Sequence, residues 1–208
     1  MFSSKIQWRI LQCSIAVCLL TVGYVLGNAT QTNASSAVIP QRLREFCDYC
    51  GTYRQYVFPQ IGKVRAHSLT DVELVICRNH SFTDDEWNAV CQMRNLAILD
   101  LAYSTVTLEQ FRRLTEFESL RVLDLEGIEL SEEMQAVLFS LRDIESLNLK
   151  DTNLTHNAVM RMTENWALWD LVVSEDEANA VGKDLTRPGH MFFKIRTNRS
   201  KLYKYVGE

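Results

Sequence analysis

The residues of this 208-residue chain with the strongest claim to chemistry are Cys47-Asp-Tyr-Cys50. Two cysteines three apart on a helix share a face, which suits a disulfide, a thiol switch or half of a zinc site. A complete zinc site needs two further ligands. The sequence holds no second Cys-x-x-Cys, and His67 is the nearest histidine. Cys13 and Cys18 belong to an apolar N-terminal run, Cys77 stands in an apolar column where it would pack as a small hydrophobe, and Cys91 follows Val90 outside the columns. His67, His80, His156 and His190 fall at no ligand spacing. There is no Gly-x-Ser-x-Gly elbow and no Gly-rich phosphate loop. The expectation is a non-enzymatic protein with no metal or cofactor, the alternative being a thiol-redox or zinc protein that uses Cys47 and Cys50.

What must position these groups is a repeat. From Asp71 onward the chain is self-similar at a period of 24, with units beginning at Asp71, Asn95, Ser119 and Asp143 and a degraded fifth near Ala167. One column reads Val72, Leu96, Leu120, Ile144, Leu168; a second reads Val75, Leu99, Leu123, Leu147, Leu171; a third reads Cys77, Leu101, Leu125, Leu149, Val173. Phe82, Val106, Leu130 and Leu154 follow, each succeeded by a hydroxyl at Thr83, Thr107, Ser131 or Thr155. Leu99-Asp100-Leu101 has the period of a strand, so both leucines face one side. The hydroxyl is placed to cap a helix, and Glu86, three residues after Thr83, completes a capping box. Trp87 and Val90, or Phe111 and Leu114, then return on one helix face. Such a strand–turn–helix unit cannot bury its apolar side alone, so the units must stack.

Leu120-Arg-Val-Leu-Asp-Leu-Glu-Gly-Ile-Glu-Leu-Ser carries a Leu-x-x-Leu-x-Leu core, and on these motifs residues 71–178, about half of the chain, resemble the leucine-rich repeat family. The resemblance is closest to the ribonuclease-inhibitor-like and bacterial variants with Thr-x-Leu-Thr, here Thr152-Asn-Leu-Thr155. Where many members hold Asn or Cys in the turn, this chain has His80, Ser104, Ile128 and Thr152. The resemblance implies an α/β fold, a right-handed solenoid of four to five repeats that binds proteins, and it brings no shared catalytic site.

Between the inward leucines, outward positions line up as Ile76, Asp100, Asp124, Asn148, Val172 and as Arg78, Ala102, Glu126, Lys150, Ser174. Five strands ~4.8 Å apart would present a ladder roughly 19 Å long. Asp100, Asp124 and Glu126 would form an acidic patch on an open strand face. With Asn148 and Lys150 they are the expected contacts for a protein partner, one with a basic surface.

The flanks complete the organisation. Lys5 and Arg9 precede an uncharged run from Ile10 to Gly27, which reads as a signal anchor or a signal peptide (1–27). Eighteen helical residues span roughly 27 Å, enough for a thin bilayer. The remainder would then be membrane-held outside the cytoplasm, or secreted or periplasmic after cleavage. Residues 28–37 read as a polar linker and 38–70 as an N-terminal cap, with Leu43, Phe46, Tyr49 and Tyr53 at helical spacing. Residues 179–208 read as a C-terminal cap in which 191–196 and 201–206 form a hairpin. Charge is polarised: 116–151 hold ten acids and three bases, whereas 183–208 hold seven bases and two acids. The net charge of −4 argues against a protein that coats nucleic acid, and 47% hydrophobic residues argue against wholesale disorder. Asn28, Asn33, Asn79, Asn153 and Asn198 each begin an Asn-x-Ser/Thr triplet, which matters only where the host glycosylates.

Overall fold

Apolar residues two apart in a short extended segment, repeated every 24 residues, oblige each segment to pair with the equivalent one in the next unit. The computed structural model, which describes residues 47–52, 68–165, 167–184 and 194–197, has this arrangement. All of these residues fall in one compact unit, Ala37–Tyr203. The protein is α/β, with a seven-stranded sheet whose spatial order is the chain order: β1 (Tyr49–Gly51), β2 (Leu74–Ile76), β3 (Ile98–Asp100), β4 (Val122–Asp124), β5 (Ser146–Asn148), β6 (Asp170–Val172) and β7 (Lys194–Arg196). β1 runs antiparallel to β2, and every later pair is parallel. Leu74 lies opposite Ile98, Ile98 opposite Val122, Val122 opposite Ser146, Ser146 opposite Asp170, and Asp170 opposite Lys194, a constant offset of 24.

Five α-helices lie between the parallel strands: α1 (Asp84–Cys91), α2 (Leu108–Arg112), α3 (Glu132–Ser140), α4 (His156–Met162) and α5 (Glu175–Asp184). The inward leucine columns pack against them. Val75, Leu99, Leu123, Leu147 and Leu171 are fully buried and share one apolar core with Trp87, Val90, Phe111 and Leu114. Helix starts follow the hydroxyl column. Thr83, Thr107, Ser131 and Thr155 accept hydrogen bonds from the N–H groups of Glu86, Gln110, Met134 and Ala158. Each such cap contributes about 1 kcal/mol. The degraded fifth unit departs here. Its helix begins at Glu175, only three residues after β6 ends, and Ser174 supplies the cap to the Glu177 N–H.

Two expectations change. Tyr49–Gly51 are extended rather than helical, because the outer edge of β2 offers backbone groups that a strand satisfies and a helix does not: the Glu73 N–H donates to the Gly51 carbonyl at 3.0 Å. Lys194–Arg196 do form a strand, but it continues the parallel series at the same offset, with Ile195 opposite Leu171. The signal was present, since Phe192 and Ile195 stand 24 residues after Leu168 and Leu171. The second half of the expected hairpin, the N-terminal run 1–27, the linker 28–37 and the rest of the helical reading at Leu43, Phe46 and Tyr53 lie outside the described residues. Among the described residues no helix is long and apolar enough to cross a membrane.

One cap carries a charge whose effect can be measured. Burial opposes ionisation of Glu86, but the hydrogen bonds from the Thr83 N–H and from His80 and the Thr83 hydroxyl outweigh it and hold the carboxyl below its ordinary value of 4.5. A depressed folded pKa adds stability that is fully present above the unfolded value and lost as pH falls through the folded one. Glu86→Gln keeps an acceptor for Thr83, as Gln110 already does for Thr107. Urea unfolding should therefore show the variant about 1–2 kcal/mol less stable at neutral pH and level with the parent near pH 3. An undiminished difference in acid would mean that the charge contributes nothing.

Candidate functional site

The outward column expected to meet a partner is buried. Asp100, Asp124 and Asn148 have no exposed surface, and Leu74, Ile98, Val122 and Ser146 on the same side of the strands are buried too. The expectation of an open strand face with these three as contacts is corrected accordingly. The reason lies in the backbone just beyond each strand. The Asp100 Oδ1 accepts from the Ala102 N–H at 3.1 Å, the Asp124 Oδ1 from the Glu126 N–H at 3.0 Å, and the Asn148 Oδ1 from the Lys150 N–H at 3.0 Å. Each is a side chain bonded to the backbone two residues on, which holds the chain as it leaves the strand. The following residue, Tyr103, Gly127 or Asp151, is then left-handed, with φ of 58°, 72° and 57°, and Asn79 has φ of 52° at the equivalent place after β2.

Charge in this column is neutralised internally. Arg78 reaches the Asp100 carboxylate at 2.7 Å, and the Asn148 Nδ2 donates to both the Asp124 Oδ1 and the Glu126 Oε2. Buried carboxylates require such partners, because desolvation of a lone ion costs several kcal/mol. The acidic patch is therefore a set of turn braces, and the ground for expecting a basic partner is lost.

The residues that do reach the surface are those at and after the turns. Glu126 lies at the rim, where its Oε1 accepts from the Tyr103 hydroxyl at 2.8 Å and pairs with the Lys150 Nζ at 3.4 Å. Lys150 is half-buried and also reaches Asp151 at 3.6 Å. The Glu126 charge, then that of Asp151, raises the Lys150 pKa; the same carboxylate, by accepting its hydrogen bond, raises that of Tyr103. Tyr103 is the large hydrophobic side chain left exposed, at 47%. Its ring rests on Gly127, where a Cβ would come within 2.3 Å of the ring. Tyr103 was not singled out from sequence. The signal is its place in the column Asn79, Tyr103, Gly127, Asp151, where the other three types tolerate positive φ and a tyrosine does not.

Cys47 and Cys50 are not brought together as a helical pair, since Cys50 lies in β1 opposite Val75. Both are half-buried against the core, and the Cys47 Sγ instead lies 3.1 Å from the Sγ of buried Cys77. The thiol–thiol hydrogen bond with Cys77, then burial, then neighbouring charges all push the Cys47 thiol above its ordinary range. Burial likewise raises the half-buried Cys91 thiol to about 11, Arg113 opposing. Among the described residues no three His, Cys, Asp or Glu side chains gather as metal ligands. His80 pairs with Glu86 and His156 with Glu177, while His67 and His190 lie outside the described residues. No protein-family model matches the chain, and no curated protein is significantly similar to it.

The brace network has a direct test. Asn148→Ala removes donors to Asp124 and Glu126 and the acceptor for the Lys150 N–H, so it should lower unfolding stability by about 2–4 kcal/mol. Asn148→Asp, which sets a third carboxylate among these groups, should lose more at neutral pH and recover part of the loss in acid. Urea titrations at two pH values read both effects; unchanged midpoints would mean that the column is not structural.

Proposed function

We propose that this chain is a non-enzymatic leucine-rich-repeat module for protein–protein interaction, its parallel units forming a right-handed solenoid. The observation that carries the reading is the pairing of six successive strands at a constant offset of 24, which is what a Leu-x-x-Leu-x-Leu repeat must produce. The uncharged Ile10–Gly27 run behind Lys5 and Arg9 supports placing the module outside the cytoplasm, either anchored in a membrane or exported.

The contact surface in this reading is the row of turns after the strands. Glu126 and Lys150 remain in it, while Asp100, Asp124 and Asn148 act as its braces. Tyr103 is the anchor. A tyrosine in the left-handed region is strained by roughly 1–2 kcal/mol, and strain of this kind collects at functional positions. Its ring is held by Gly127 below and Glu126 at the hydroxyl, so it presents an amphipathic surface with little entropy left to lose on binding. Aromatic side chains so placed dominate binding energy in interfaces. The alternative, thiol redox or zinc chemistry at Cys47 and Cys50, has weaker support, because the influences on the Cys47 thiol combine to raise its pKa.

A photo-crosslinking residue at position 103 should give one discrete protein adduct from the native source, and the same residue in place of Glu109, on the outer side of α2, should give none. Against the partner so identified, Tyr103→Ala should weaken binding at least ~10-fold and Lys150→Ala by much less. Adducts from position 109 but not from 103 would move the surface to the helices and overturn the assignment.

A further inference from the structure

We infer that Cys47 and Cys77 are the two halves of a disulfide that clips the N-terminal segment to the first parallel strand. Their sulfur atoms stand 3.1 Å apart across 30 residues of chain, about 1 Å more than an S–S bond of roughly 2.05 Å. The approach is set by the sheet. Tyr49 pairs with Ile76 in antiparallel register, so the residues one step beyond, Asp48 and Cys77, come next to each other with Cys47 adjoining. Cys77 is immobile: it is fully buried, and its N–H donates to the Asp100 carbonyl. Cys47 precedes the bend at Asp48, outside the β1 ladder, where a side-chain rotation can close the remaining gap. Cys50 is held opposite Val75 inside the strand pair, and Cys91 lies at the end of α1.

Closure needs an oxidant, and a small external disulfide of the glutathione class supplies it. Cys47, the more accessible of the two, attacks one sulfur of that disulfide as the thiolate and releases one small thiol, leaving a mixed disulfide. The Cys77 sulfur then attacks the Cys47 sulfur and displaces the second small thiol. The two electrons and the two protons of the protein thiols end on the released pair. A thiol of raised pKa reacts slowly but gains little by staying reduced, so the product is a stable structural bond rather than a catalytic one. The inference stands apart from the interaction reading, since it needs only these two sulfurs and their register.

The experiment equilibrates the full chain in glutathione buffers from reducing to oxidising, traps thiols by alkylation and maps linked peptides by mass. A Cys47–Cys77 peptide should accumulate, more slowly at low pH, and the oxidised protein should melt roughly 5–10 °C higher than the reduced one. Cys50→Ser should keep both the link and the rise, whereas Cys47→Ser should lose both. Cys47→Ser alters only a half-buried position, which keeps the test valid where Cys77→Ala fails to fold. A Cys47–Cys50 link, or Cys77 still alkylated at the oxidising limit, would overturn the inference.

Discussion

The structure depends on one relation, the donation of each unit's backbone to the carbonyls of the unit 24 residues later. The N–H groups of Cys77, Leu101, Leu125 and Leu149 reach the carbonyls of Asp100, Asp124, Asn148 and Val172, and those of Asn79, Tyr103 and Gly127 reach Ala102, Glu126 and Lys150. Three-residue strands are too short to hold a register by themselves. Register is held because a one-residue slip would turn every inward leucine to the other side of the sheet and break both sets of bonds together. A constant offset therefore tolerates wide variation between the fixed columns. The fifth unit shortens its turn, starts its helix early and still delivers β7 at the same phase.

That relation explains the acids and the asparagine of the outward column. As the chain leaves each strand it turns through a left-handed residue, and the N–H two positions after the column residue would otherwise lack an acceptor within its own unit. Asp and Asn carry an oxygen at the right reach, so the column is drawn to them for a backbone reason, and the charges it thereby buries must be neutralised locally. Arg78, Asn148 and the Glu126–Lys150–Tyr103 cluster do this. A side-chain type that looks like a binding patch in sequence is thus consumed by the turn, and display passes to the residues one and two positions later.

The periodic parts were legible for that reason. Inward leucines and cap hydroxyls obey rules that each unit satisfies internally, so reading one unit reads them all. What escaped involves a second column or a second segment. Leu74, Ile98 and Val122 are apolar and share a side with Asp100 and Asp124; their presence there was the sign that this side of the sheet is not simply solvated. The spacing at Leu43, Phe46, Tyr49 and Tyr53 fits a helix, but helical period is a local signal and the edge of β2 is not local. Backbone groups 25 residues away decide that Tyr49–Gly51 are extended. Lys194–Arg196 were legible as a strand and misread in their pairing, because basic residues between aromatics suggested a hairpin while Ile195 already stood in phase.

The two ends of the parallel series differ in a way the repeat itself requires. An interior strand has a predecessor on one side and a successor on the other, whereas β2 has no earlier unit to pair with. Its edge is closed by a strand of opposite direction, which cannot supply side chains at the same phase. A leucine at position 77, as at 101, 125 and 149, would fill the space that a preceding unit normally shares. Cysteine is smaller, and the room it leaves is where the Cys47 sulfur enters. The one departure in the third leucine column therefore sits at the one strand whose neighbour runs the other way. A substitution that reads as a weak core residue in the repeat is, at this edge, the residue that admits the closing segment.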